Sequence, residues 1–185
     1  MYKYFKFFLI GVVWSVFSFP VLAAEPESEL RFETIMMPTA TKLPAEGEIT
    51  SILLALKITN ISSHPIVIDK YQTPIPILES PSGKIIITLT AHDVSRAPEK
   101  GDLFGLQPRH STYIIVDCSI KCSGGIRSIY GTLRDGGYWD VDNIIEGNYK
   151  ISLHYRPGQT DFPSNTLTPW KGDVKSPAES LLFTR

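Results

Sequence analysis

Residues 145–156 read Ile-Glu-Gly-Asn-Tyr-Lys-Ile-Ser-Leu-His-Tyr-Arg. From Tyr149, the residues Tyr149, Ile151, Leu153 and Tyr155 alternate with Lys150, Ser152, His154 and Arg156. Successive side chains of a strand point to opposite faces, so this period of two sorts an apolar face from a polar one. The segment predicts a strand with one buried side. Glu146-Gly-Asn148 supplies turn chemistry just before it. Tyr149, at the strand's start, is placed to bury its ring and return its hydroxyl to backbone a few residues upstream, forming a tyrosine corner.

The same alternation recurs in both directions along the chain. It is found at Leu30 and Phe32, at Leu54, Leu56 and Ile58, and at Ile66 and Ile68. It returns at Ile85, Ile87 and Leu89, at Ile114 and Val116, and at Leu181 and Phe183. With Tyr149–Tyr155 these make seven expected strands, and Arg127–Leu133 is an eighth candidate. Turn sequences separate them, among them Asn60–Pro65, Ser80–Gly83, Pro98–Asp102, Gln107–His110 and Asp135–Gly137. The 14 Pro and 13 Gly are spread along the chain, and no window carries a convincing 3.6-residue period. Short strands with one apolar face predict two antiparallel sheets packed face to face, with a closed barrel as the alternative.

Composition bounds the function. The chain has 185 residues, is 43% hydrophobic and 20% charged, and has 18 Lys+Arg against 19 Asp+Glu. That suits one folded domain. It lacks the basic excess that a nucleic-acid partner would call for, so no nucleic acid is expected.

Residues 1–24 read as a secretory signal. Lys3 and Lys6 form a positive start, Phe7 to Phe19 are apolar apart from Gly11, Ser15 and Ser18, and Val21-Leu-Ala-Ala24 offers small residues for cleavage. The apolar run is shorter than the roughly 20 residues a bilayer span needs. Cleavage removes two Lys and no acid, moving the formal charge from −1 to −3. The expectation is a periplasmic or secreted single domain over 25–185, without a membrane span after signal cleavage.

Export exposes Cys118 and Cys122 to an oxidising compartment. A structural disulfide pinning a turn is the leading reading, provided that the backbone turns between them. A redox pair lacks the C-x-x-C spacing, and a metal half-site lacks a second ligand pair.

Three further segments share a pattern. Leu53-Leu-Ala-Leu-Lys-Ile-Thr-Asn-Ile-Ser-Ser-His-Pro-Ile-Val-Ile68 is a strand, an Asn, a small polar turn, a Pro and a strand. Leu106-Gln-Pro-Arg-His-Ser111 leads into a middle strand, and Ile145-Glu-Gly-Asn-Tyr-Lys-Ile151 leads into a late one. Together with Trp170–Ser176 before the last strand, the pattern resembles bacterial exported immunoglobulin-like domains. Arg109 stands where that pattern usually has Gly, and Glu146 where it has Pro. The resemblance implies an immunoglobulin-like sandwich of about seven to eight strands. Ile151 occupies the position of the second core cysteine of antibody domains, so a core disulfide is not implied. A fold of this kind hosts many unrelated functions.

Catalytic and metal motifs are missing from the sequence. His64, His92, His110 and His154 are scattered, and no H-x-x-x-H, H-E-x-x-H or Gly-x-Ser-x-Gly occurs. His92-Asp93 reads as a solvated pair, and Asp140, Asp142 and Asn143 lack a calcium-loop pattern. No catalytic residue, metal site or cofactor is expected. The segment Ser123-Gly-Gly-Ile-Arg-Ser-Ile-Tyr-Gly-Thr-Leu-Arg-Asp-Gly-Gly-Tyr-Trp139 has the composition of a recognition surface. Arg127, Tyr130, Arg134, Tyr138 and Trp139 are its candidate binding residues, joined by Phe162 and Trp170 of the loop 157–171. The competing reading makes Trp139 a core residue and the glycines turn formers. The leading expectation is a non-catalytic domain binding a protein or carbohydrate through loops at one end of a sandwich. An accessory or structural subunit of a surface assembly is the alternative, and a periplasmic hydrolase or metal-binding protein the third reading.

Overall fold

The computed structural model describes residues 29–87, 89–91, 99–134, 136–157 and 168–185. Residues 1–24, expected to be a secretory signal, and His92, Asp93 and Phe162 lie outside them. Strands dominate the described residues. In chain order they are β1 Leu30–Met37, β2 Ala40–Lys42, β3 Ile49–Ser51, β4 Leu53–Asn60, β5 Ile66–Asp69, β6 Ile75–Glu79, β7 Ile85–Ile87 and β8 Leu89–Ala91. After a single 3₁₀ turn at Lys100–Asp102 come β9 Leu103–Leu106, β10 Ser111–Val116, β11 Ser119–Ser123 and β12 Ile126–Thr132. The chain ends with β13 Tyr138–Val141, β14 Gly147–Tyr155, β15 Val174–Lys175 and β16 Glu179–Thr184. The protein is therefore all-β, but it has more and shorter strands than the seven or eight that alternation predicted.

Three sheets carry most of the architecture. One has the order β1-β4-β10, the second β2-β16-β14-β6-β7 with β15 beside β14, and the third β3-β11-β12-β13-β8. A small β5-β9 pair completes the set. Every pairing is antiparallel except that of β2 with β16. The chain leaves the first sheet after β1, turns at Pro38 and joins the edge of the second as β2.

The first and second sheets face each other, and alternate side chains of each fill the space between them. Phe32 on β1 packs against Tyr155 on β14 and against Trp170, with ring centroids 6.4 and 5.5 Å apart. Tyr149 meets Phe183 edge-on at 5.2 Å. Leu54, Leu56, Ile58, Ile114, Ile151 and Leu153 are fully or almost fully buried in one continuous core. Each such side chain contributes roughly 1.5–3 kcal/mol relative to exposure. Several polar groups that enter the core are hydrogen-bonded there. Thr34 Oγ1 lies 2.6 Å from Ser176 Oγ, and the Tyr155 hydroxyl donates to the Asp69 carbonyl at 2.5 Å. The Tyr149 hydroxyl accepts from the Ile145 N–H, four residues upstream, at 3.3 Å.

The first and third sheets share a pair of strands. Thr59 stands opposite Ser111 and Leu54 opposite Val116. In the same register Ser51 stands opposite Ser119 and Ile49 opposite Lys121. The Ile52 N–H donates to the Cys118 carbonyl at 2.8 Å between these stretches, and Asn60 N–H to the His110 carbonyl at 3.0 Å at one end. At the other end Gly47 N–H donates to the Cys122 carbonyl at 2.9 Å. Residues 49–60 and 110–122 thus form a single unbroken ribbon, about 40 Å long at about 3.3 Å per residue. One half belongs to the sandwich. The other half carries β12, β13 and β8.

That ribbon overturns the disulfide expectation. Cys118 and Cys122 are both free and buried. The residues between them continue the strand instead of turning. Their Cα atoms are therefore about 13 Å apart, whereas a bridge needs about 4.4–6.8 Å.

The segment 53–68 folds as a hairpin tied by its Asn. Asn60 is fully buried, donating through Nδ2 to the carbonyls of His64 at 2.8 Å and Leu106 at 2.9 Å. Its Oδ1 accepts from Ser62 N–H and Ser62 Oγ at 2.9 and 2.7 Å. Just across the ladder, Arg109 has φ 64°. A non-glycine residue in that left-handed region carries strain of about 1 kcal/mol.

Candidate functional site

β11 and β12 are joined by Ser123-Gly-Gly-Ile126, with φ of 60° at Gly124 and 77° at Gly125. Two consecutive positive φ values are what a two-residue type I′ hairpin turn requires, and glycine supplies them at least cost. Glu46, reaching across from the loop before β3, clamps this turn. Its carboxylate accepts Gly124 N–H at 2.8 Å, Gly125 N–H at 3.0 Å and the Cys122 thiol at 3.5 Å. The bonds from Gly125 and Gly124 hold the Glu46 carboxyl below the ordinary glutamate value.

Beside this clamp, a groove of about 710 Å³ opens between the β2 edge of the second sheet and the β3–β12 side of the third. Lys42, Leu43 and Pro44 form one wall, with Arg127, Glu48 and Thr50 opposite. Ile145, Glu146 and Arg185 close one end. The volume lies within the range of small-ligand clefts. Arg127 is half-buried and its Nε donates to the Pro44 carbonyl at 3.3 Å, which ties the walls together. Arg185 and Glu146 form a bidentate pair at 2.6 and 2.9 Å. Glu48 accepts the Ala45 N–H at 2.9 Å. Among the described residues neither Lys42 nor Arg127 has a carboxylate partner. Ile145, 63% exposed, adds an apolar surface to the mouth. The lining therefore combines Lys42 and Arg127, which make no ion pair among the described residues, with the Glu48 carboxylate, the Arg185–Glu146 pair and aliphatic contacts.

The candidate binding residues are not gathered at one place. On β12, Arg127 faces the same way as the buried Ile129, while Tyr130 faces the opposite way. Tyr130 shares its face with Tyr138 and stands opposite Asp140, and Lys121 Nζ lies 4.8 Å from the Tyr130 ring centroid. Tyr138 is 49% exposed. Trp139 is 0% exposed, so it is a core side chain and not a contact surface. It packs over Gly131, where a Cβ would fall 1.7 Å from the Asp117 carbonyl oxygen and 2.7 Å from Trp139 Nε1. Arg134 lies beyond the end of β12, where its N–H donates to Thr73 Oγ1 at 2.8 Å and its Nη1 to the Lys70 carbonyl at 3.3 Å. Trp170 is half-buried against Phe32, on the sandwich side. Of the described candidates, Arg127 alone lines the groove. Lys42, Glu48, Ile145 and Arg185 were missed because four separate chain segments bring them together.

The burial of Cys118 raises its thiol pKa to about 12, with the neighbouring Asp117 adding to the shift. Burial and then Glu46 raise that of Cys122. Neither is poised as a nucleophile. His154 Nε2 contacts the Asp173 carboxylate at 2.5 Å, and Arg156 Nε lies 3.4 Å from the same group. That cluster sits on the open face of β14 and β15. Asp142, weighed as a calcium ligand, accepts a hydrogen bond from Ser128 Oγ at 2.5 Å.

Among the described residues there is no group of three or more His, Cys, Asp or Glu side chains placed to hold a metal ion. Among them, too, no helix is long and apolar enough to cross a membrane. No family model, curated protein sequence or solved structure matches the chain.

Proposed function

We propose that this is an exported, non-catalytic binding domain, acting in the periplasm or outside the cell, which seats an anionic group of a protein or carbohydrate partner in the groove between β2 and β12. The observation that carries the reading is the pair Lys42 and Arg127, two cations that line the groove beside Glu48 and make no ion pair among the described residues. An arginine fixed by a backbone carbonyl offers its remaining N–H groups in a planar fork suited to carboxylate, sulfate or phosphate oxygens. Leu43, Pro44 and Ile145 add the apolar contact that such sites use for affinity.

An immunoglobulin-like sandwich is the finer fold reading that goes with this proposal. It is supported by sheet order: β1, β4 and β10 would be strands A, B and E, and β16, β14 and β6 strands G, F and C. β11, β12 and β13 then form an insertion between E and F, and the groove lies where that insertion meets the A-to-G edge. The Tyr149 hydroxyl at Ile145 N–H supports the same assignment.

The test is an NMR titration of the ¹⁵N-labelled protein with an oligoglutamate peptide and, separately, with a uronic-acid oligosaccharide. Shifts should cluster at the amides of Lys42, Arg127 and Ile145. Arg127→Gln should weaken binding about tenfold or more, since a charge-assisted bond is worth about 1.5–3 kcal/mol, with the melting temperature unchanged. If neither anion moves those amides, or if Arg127→Gln binds as wild type, the reading fails.

A further inference from the structure

The groove holds charges of both signs that do not answer one another. Arg185 and Glu146 are paired at one end of it. Lys42, Arg127 and Glu48 line it as well, and none of them makes an ion pair among the described residues. Glu48 accepts the Ala45 N–H through Oε2, and a carboxylate has acceptor capacity for further donors. Glu46, the neighbouring acid, is taken up by the Gly124 and Gly125 N–H groups.

The ladder keeps these charges apart. Cys122 N–H donates to the Glu48 carbonyl at 3.3 Å, and Cys122 stands opposite Arg127. Glu48, Cys122 and Arg127 therefore form one row across the sheet. Side chains of one row share a face, and Glu48 and Arg127 both line the groove. Two strand spacings of about 4.8 Å place their Cα atoms about 10 Å apart. Between them stands only the buried Cys122, too short a side chain to link the two charges.

We propose that the groove takes a short peptide with both ends free, its terminal carboxylate on Arg127 and Lys42 and its terminal ammonium on Glu48. The inference rests on the reading of Lys42 and Arg127 as an anion seat and narrows the partner to a zwitterion. Charge selects this occupant. A polyanion, whether of sugar acids or of glutamates, brings a second carboxylate toward Glu48, where like charges repel. Length selects it too: about three extended residues, at about 3.3 Å each, span the row from Glu48 to Arg127. Leu43, Pro44 and the exposed Ile145 offer apolar contact to a middle side chain.

The experiment is calorimetric titration of protein expressed from the full sequence, at about pH 6.5 so that both peptide ends are charged. The probes are Ala-Leu-Ala, its N-acetyl form, its C-terminal amide and free leucine. Ala-Leu-Ala should bind most tightly, and blocking either end should weaken it about tenfold, the worth of one charge-assisted bond. Free leucine, too short to span the row, should lose at least as much. Glu48→Gln keeps an acceptor for the Ala45 N–H and should bind the free and acetylated peptides alike. If wild type already binds those two alike, or binds leucine as tightly as the tripeptide, the proposal is overturned. It is overturned alone, with the anion seat intact, if oligoglutamate moves the Lys42 and Arg127 amides while Ala-Leu-Ala does not bind. If no anionic probe binds, the anion seat fails and the proposal with it.

Discussion

Asn60→Ala is the sharpest probe of how the hairpin 53–68 is held. The side chain makes one fully buried bond, to the Leu106 carbonyl, and three part-buried ones, to the His64 carbonyl and to Ser62 N–H and Oγ. Losing the buried bond costs about 1–2 kcal/mol and each of the others about 0.5, together about 3 kcal/mol. Asn60→Asp separates donor from acceptor. It keeps the two Ser62 contacts but turns an oxygen toward the carbonyls of His64 and Leu106. The buried carboxylate then favours its protonated form, so its folded pKa rises above the unfolded value. A folded state that binds the extra proton gains stability as pH falls from 7 toward 5. Urea denaturation at both pH values checks this. Wild type and Asn60→Ala should change alike between them, whereas Asn60→Asp should recover at the lower pH. A loss below about 1 kcal/mol for Asn60→Ala, or an Asn60→Asp variant insensitive to pH, would refute this account of the turn.

Gly131→Ala forces a Cβ to within 1.7 Å of the Asp117 carbonyl oxygen and should cost about 3 kcal/mol or more in thermal or urea unfolding. Trp139→Ala should cost about 3–5 kcal/mol, while Tyr138→Ala stays within about 0.5 kcal/mol; equal effects would mean that the two faces of β13 have been misassigned. Thiol titration in denaturant should give two thiols per chain, matching the 2 Cys of the sequence, and the native protein should react far more slowly at pH 8 because both thiols are buried with raised pKa values. A chain that shows no thiol in denaturant while remaining monomeric contradicts the extended strand between Cys118 and Cys122. The Glu46 clamp contributes above the unfolded glutamate pKa and is lost as pH falls through the lowered folded value. The amide shifts of Gly125 and Gly124 should therefore titrate with a midpoint below the ordinary glutamate range, and a midpoint above it would rule the clamp out.

Alternation was enough to locate strands such as 149–155, because burial on one side writes a period of two into the sequence. It failed where other constraints wrote over it. β6 carries Pro76, which argues against a strand, yet Pro76 lies one residue beyond the stretch Ile77–Glu79 that β7 pairs. β11 was hidden by its cysteines, since a C-x₃-C pair in an exported chain suggests a turn. β2, β3 and β15 are too short to show any period. The ribbon could not be read because its register joins residues 49–60 to 110–122, and nothing local states which distant strands will pair. The groove was half legible. Arg127 stood out by residue type, but Lys42, Glu48 and Arg185 are ordinary surface residues in sequence, and topology alone brings them to one cleft.

The long ribbon also has a mechanical meaning. Its two strands run antiparallel in one register across both sheets, so tension applied along its axis at opposite ends would shear the whole ladder at once instead of peeling rungs singly. Strands loaded in that way resist extension far better than hairpins opened from a tip. The cleft at Lys42 and Arg127 sits near one end of this beam and the hairpin tied by Asn60 near the other. A pull applied between those two points would run along the ribbon's long axis.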